Sequence, residues 1–123
     1  TEQGSAYVFT RSGSTWTQRA QLTASDGAAG DSFGIGVAIS GDTALVGAHF
    51  DDVGANTNQG SAWVFSRVGS QWIGPNLKLI ASDGVSGDGL GYAVAISGDT
   101  ALVGAAFDHV GANADQGSAY VFV

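Results

Sequence analysis

Apolar and polar positions alternate along this chain in short runs. From Gly34 to Ile39, Ile35, Val37 and Ile39 fall on one side and Gly34, Gly36 and Ala38 on the other. Period two marks a strand, because successive side chains of an extended backbone point to opposite faces. The same pattern recurs from Gly91 to Ile96. Ser5 to Phe9, Ser61 to Phe65 and Ser118 to Phe122 alternate large with small residues. Ala44–Ala48 and Ala101–Ala105 are short apolar runs of strand length. Ser40-Gly41-Asp42-Thr43 and Ser97-Gly98-Asp99-Thr100 carry the Gly-Asp pair of a two-residue hairpin turn. A last strand is predicted near Ala20–Ala24 and again near Leu77–Ala81, with Gln21, Thr23 and Lys78 on an exposed face. No segment sustains a 3.6-residue period, so no helix is expected.

These elements repeat. QGSAYVF at Gln3–Phe9 returns as QGSAWVF at Gln59–Phe65 and as QGSAYVF at Gln116–Phe122. VAISGDTALVGA at Val37–Ala48 returns unchanged at Val94–Ala105. The offset is 57 residues, as between Asp26 and Asp83, and 56 before Trp16; an extra residue near Gly74–Pro75 makes the difference. Naming the strands of one repeat a to d, the chain reads c, d, a, b, c, d, a, b, c. A four-stranded antiparallel sheet repeated at this spacing and apolar on both faces is the pattern of a β-propeller blade. The fold class is therefore all-β, with about two blades per chain. Residues 1–32 supply a partial blade (c and d). Residues 33–89 supply a complete blade and its exit loop, and residues 90–123 a partial blade (a, b and c). The small residues of strand a suit a place where neighbouring sheets crowd together.

Composition removes alternatives. There are 123 residues, with eleven acids against four bases, a net charge of −7 and only 12% charged residues. Four bases cannot form a phosphate-binding face, which excludes a nucleic-acid partner. Gly, Ser or Asp interrupts every apolar run before it reaches membrane-spanning length. No cysteine is present, so there is no disulfide scaffold. Hydrophobic residues at 44% argue against disorder. The chain starts at Thr1 and holds no methionine, which reads as a processed, trimmed or excised segment, and no signal peptide is visible in it.

DSFGIGVAISGDTALVGAHFDD (Asp31–Asp52) together with GSAYVF resembles the FG-GAP repeat of integrin-α-type propellers, in its bacterial form. Phe33-Gly34 matches the FG and Gly47-Ala48 the GA, with His49 in place of Pro. The second copy has Leu90-Gly91 and Gly104-Ala105-Ala106. The resemblance implies a propeller of about seven blades, extracellular or on the cell surface, used for adhesion or ligand binding and not catalytic. Some integrin repeats carry a calcium loop of DxDxDGxxD type between strands a and b. Here Ser40–Thr43 and Ser97–Thr100 are too short to wrap a cation that takes six to eight oxygens, so that site is not carried over.

Sorting the charges by loop gives an asymmetry. The b–c loops hold Asp51, Asp52, Asp108 and Asp115, and the d–a loops hold Asp26, Asp31, Asp83 and Asp88. An up-and-down sheet places both loop sets on one edge. The eight acids, near His49 and His109 and without Lys or Arg, form the candidate ligand face. The opposite edge holds Asp42 and Asp99 with Arg11 and Arg67. Turn chemistry explains loop Asp and Asn residues well, since they bond their own backbone. Calcium is the cofactor that the alternative admits, on Asp51, Asn56 and Asn58 and again on Asp108, Asn113 and Asp115, although that spacing matches no established calcium loop.

No catalytic group stands out. His49 aligns with Ala106 and His109 with Asp52, so neither histidine belongs to a repeated site. Trp63 replaces a tyrosine within strand c and reads as core; Trp16 and Trp72 follow the c–d turns and read as cover for the outer edge. Three non-enzymatic functions compete: a protein-binding face using the acidic loops, a propeller lectin taking glycans, and a structural unit that assembles through its blade faces. Two or so blades cannot close a ring, and blade faces lined by residues such as Tyr7, Val37 and Tyr92 do not stay wet. A head-to-tail homo-oligomer follows, as a ring or a filament, with each junction blade shared between chains. In it the Ala101–Ala105 strand of one chain pairs with the Ser5–Phe9 strand of the next. One strand is then in excess, because the first and last copies of strand c compete for one slot.

Overall fold

Two-residue turns led by glycine set the hairpins. The structure, a computed structural model, describes residues 2–123. Gly13-Ser14, Gly41-Asp42, Gly69-Ser70 and Gly98-Asp99 each join two strands directly. Gly41 has φ 55°, a left-handed value that matches the twist of the strands it connects and that glycine adopts without steric cost. β1 (Ala6–Ser12) and β2 (Thr15–Leu22) form a two-stranded sheet. β3 (Phe33–Ser40), β4 (Thr43–Ala48), β5 (Ser61–Val68) and β6 (Gln71–Leu79) form a four-stranded sheet in that order. β7 (Leu90–Ser97), β8 (Thr100–Ala105) and β9 (Ser118–Phe122) form a three-stranded sheet. Every neighbouring pair within a sheet is antiparallel. Among the described residues there is no helix, and hence none long and apolar enough to cross a membrane.

The order c, d, a, b, c, d, a, b, c is thus observed. The last strand of the blade differs from expectation in extent. It was placed near Ala20–Ala24 and Leu77–Ala81 but starts at Thr15 and Gln71. The tight turns leave no loop, so Trp16 pairs at once with Arg11 and Trp72 with Arg67. The extra residue of the second copy is absorbed in a bulge of β6 opposite Phe65.

The middle sheet is buried on both faces along β4 and the first half of β5, while Ile35, Val37 and Ile39 of β3 stay exposed. One face (Ala44, Val46 and Ala48 of β4, with Trp63 and Phe65 of β5) meets Val8 and Leu22 of the first sheet. The other face (Leu45, Ala62 and Leu79) meets Ala101, Val103 and Ala105 of the third sheet. Period two along β4 serves both. The flanking sheets are each covered on one face only. Tyr7 and Phe9 stay exposed at one end of the array, Leu102 and Val121 at the other.

Blades approach closely along strands a and b. A Cβ on Gly47 would lie 1.9 Å from the carbonyl oxygen of Gly91, so only glycine fits there. The first two QG motifs fasten their blades to the next. Phe33 N–H donates to Gln3 O (3.1 Å) and Leu90 N–H to Gln59 O (2.9 Å). The Gln side chains add bonds to Ala24 O and Ala81 O.

Candidate functional site at the acidic edge

The b–c and d–a loops do meet on one edge. Phe50 N–H donates to Asp31 O, and Gly87 N–H to Thr57 O. Asp26, Asp31, Asp51 and Asp52 line a cleft of about 340 Å³ together with Phe50, Thr57 and Asn58.

This edge is not free of bases. Lys78, read from sequence as exposed on its strand, reaches the cleft from the end of β6. Its Nζ lies 2.7 Å from Asp51 and 3.0 Å from Asp26. The side chain is only 24% exposed and sits over the ring of Trp63, 4.9 Å from its centroid. Burial works against the ammonium, but the hydrogen bonds to Asp51 and Asp26 outweigh it and hold the Lys78 pKa above its ordinary value. Asp51 is buried and also accepts from Ser61 Oγ at 2.6 Å, and Ser61 Oγ in turn accepts from Trp63 Nε1 at 3.0 Å.

One repeat later a different side chain makes the same bridge. Tyr120 Oη donates toward Asp83 at 2.7 Å and lies 3.3 Å from Asp108. Asp83 and Asp108 are the counterparts of Asp26 and Asp51 at the 57-residue offset. Burial first, and then the hydrogen bond to Asp83, push the Tyr120 pKa up to about 12. Ser118 Oγ donates to Asp108 as Ser61 does to Asp51.

The remaining acids serve the loops. Asp31 is buried and accepts from Ala28 N–H at 2.7 Å; Asp88 is buried and accepts from Val85 N–H at 2.8 Å. Burial raises the Asp31 pKa, the Ala28 bond opposes that, and the charges of Asp51, Asp52 and Asp26 add to the rise. Asp52 accepts from Asn58 N–H at 2.9 Å. Asp115 is exposed, 3.6 Å from the His109 ring. Of the residues read as calcium ligands, Asp51 is bound to Lys78 and Ser61. Asn56 donates to Gln59 Oε1, and Asn113 repeats this with Gln116. Asn58 and Asp115 hold left-handed φ values of 57° and 53°, a conformation Asn and Asp tolerate better than most residues. Among the described residues, no group of three or more His, Cys, Asp or Glu gathers in a way that holds a metal ion.

His49 is buried at the junction of the second and third sheets, against Phe50 and Tyr92. Desolvation lowers its pKa. Trp63 is core, Trp72 packs partly against the core, and Trp16 is exposed under Arg11. On the opposite edge Arg67 pairs with Asp42 through two guanidinium nitrogens.

Antiparallel sheets of two, four and three strands stacked face to face, with strands a and b of successive sheets in close approach, are consistent with an array of β-propeller blades. The FG-GAP repeat family model matches residues 16–65 and 76–122, most of the chain, and the chain belongs to that family. The family is generally non-enzymatic. No curated protein matches the sequence.

Proposed function

We propose that this chain is a non-catalytic propeller module that assembles head to tail through its blade faces, in an extracellular or cell-surface setting. The observation that carries this is the groove at its N-terminal end. It has a volume of about 430 Å³ and is lined by Tyr7, Val8 and Phe9 of β1 and by Val37, Ile39 and Val46 of the middle sheet. It lies where strands a and b of the first blade would stand. Val37 and Ile39 are 60% and 59% exposed there, although β4 of the same sheet is buried on both faces. At the far end of the array β7, β8 and β9 stand as strands a, b and c without a strand d, and Leu102 and Val121 are exposed on the outer face. Burying such faces is favourable at roughly 25 cal/mol per Å² of apolar surface. Adhesion to a protein or glycan through the acidic edge is the further use of the assembled disc.

Gly104 tests the assembly. Its counterpart Gly47 touches Gly91 of the next blade, whereas a Cβ on Gly104 meets nothing closer than 3.6 Å. In the assembly Gly104 faces Gly34 of the next chain, the counterpart of Gly91. Gly104→Ala therefore leaves the single chain folded and abolishes association. Light scattering at micromolar concentration reads the mass. A wild-type mass of one chain, or an unchanged multiple in Gly104→Ala, contradicts the proposal.

A further inference from the structure

We propose that the junction between the second and third sheets is an acid-labile break point, opened when His49 takes up a proton. Both sheets of this junction belong to one chain, so the device works in the single chain and in any assembly of it.

His49 directly follows β4 and is 5% exposed. Its ring lies against Phe50, with centroids 3.8 Å apart, and against Tyr92 of β7, edge-on at 5.0 Å. Its Nδ1 is buried and has no hydrogen-bond partner among the described residues. The carboxylates on the surrounding loops are committed elsewhere. Asp51, two residues on, is held by Lys78 and Ser61. Asp31 of the preceding d–a loop accepts from Ala28 N–H, and Asp88 of the following one accepts from Val85 N–H. Asp88 keeps a second buried oxygen without a partner. Even so, desolvation alone sets the direction of the His49 pKa, downward, and no carboxylate offsets it. An imidazolium in this place gains neither a hydrogen bond at Nδ1 nor a paired anion, so protonation is unfavourable while the junction stays closed.

In an open junction the ring meets water and takes its proton near pH 6.5. The open form thus binds the proton more tightly than the closed form. The opening equilibrium rises by up to about tenfold per pH unit as pH falls from 6.5 to the folded pKa. What parts is the apolar contact of Leu45, Ala62 and Leu79 with Ala101, Val103 and Ala105. The next repeat has Ala106 in the place of His49, so the blade itself does not require a histidine there. The first junction responds in the opposite sense. Asp31, buried in the loop that joins the first and second sheets, has a raised pKa, so the fold there favours its protonated form.

Hydrogen exchange reads both junctions in the same molecule. Gly89 and Leu90 N–H donate across the second junction to Asn58 O and Gln59 O, and Gly30 and Phe33 N–H donate across the first to Glu2 O and Gln3 O. Protection factors at pH 7 and pH 5.5, corrected for the intrinsic pH dependence of amide exchange, give the local opening equilibria. Protection at Gly89 and Leu90 is expected to fall by up to about tenfold, and that at Gly30 and Phe33 to hold. His49→Ala, which installs the residue of the next repeat, is expected to remove the fall. His109→Ala, at an exposed site, is expected to leave it in place. No fall, an equal fall at both junctions, or a fall that persists in His49→Ala overturns the proposal. Should His49→Ala not fold, the wild-type comparison decides together with an NMR titration of His49, where a pKa at or above 6.5 overturns it.

Discussion

The ammonium of Lys78 and the hydroxyl of Tyr120 stand in equivalent positions one repeat apart, each bridging a d–a loop aspartate to a b–c loop aspartate. Both bring a proton donor between two carboxylates that would otherwise repel. In the middle blade Trp63 occupies the strand c position and has no hydroxyl, and Lys78 on the paired strand supplies the donor.

Lys78→Met should destabilise the protein by about 2 kcal/mol at neutral pH, since it leaves the buried Asp51 without its cation. The figure lies below the range for a fully buried pair because Asp26 is exposed. Urea denaturation measures the loss. Because the folded Lys78 pKa is raised, the difference from wild type should be complete below pH 10.5 and shrink as pH rises through the folded value.

Asp31→Asn should be neutral or stabilising at pH 7. The folded pKa of Asp31 is raised above 3.8, so the fold favours its protonated form. The contribution of this group is fully present below pH 3.8 and is lost as pH rises through the folded pKa. Asn keeps an acceptor for Ala28 N–H without the charge. The stabilities of variant and wild type should converge near pH 3.

His49 gives a slope on the other side of neutrality. Its folded pKa lies below 6.5, so the fold favours the neutral ring. Its contribution is complete above pH 6.5 and is lost as pH falls toward the folded pKa. Thermal melts between pH 7 and 5 should show the decline. His49→Ala should be less stable throughout but flatter with pH over that interval.

Gly47→Ala should unfold or separate the blades, because its Cβ would overlap the Gly91 backbone and neither strand has a flexible side chain to move aside. A loss above roughly 3 kcal/mol is expected, and circular dichroism checks it.

Calcium should leave the melting temperature unchanged, because Asp26 and Asp51 already share Lys78. A rise with calcium that a chelator reverses would restore a cation to the acidic edge.

The repeat, the strand order and the Gly-Asp turns were legible because each rests on local chemistry: period two, φ > 0 at glycine, and recurrence. The acidic edge was legible too, since loop membership follows from strand order. Lys78 was not. It lies in a strand, and whether a strand residue near an edge leans into a loop cluster depends on bulges and twist that alternation does not encode. One signal was available. Trp63 faces Lys78, while Tyr7 faces Gln21 at the matching place. The residue that lacks a hydroxyl is the one paired with an ammonium. The early start of β2 and β6 has a related reason: β2 begins with Thr, Gln and Arg, which give little alternation to read, and Gly74-Pro75 interrupts the pattern of β6.

The double-sided burial of the middle sheet has a genetic consequence. Every face that a blade shows to its successor is matched by one it shows to its predecessor, so a duplication of one 57-residue unit inserts a further sheet without altering either terminus of the array. Near-identity between neighbouring copies, as in VAISGDTALVGA, is what recent unequal recombination would leave.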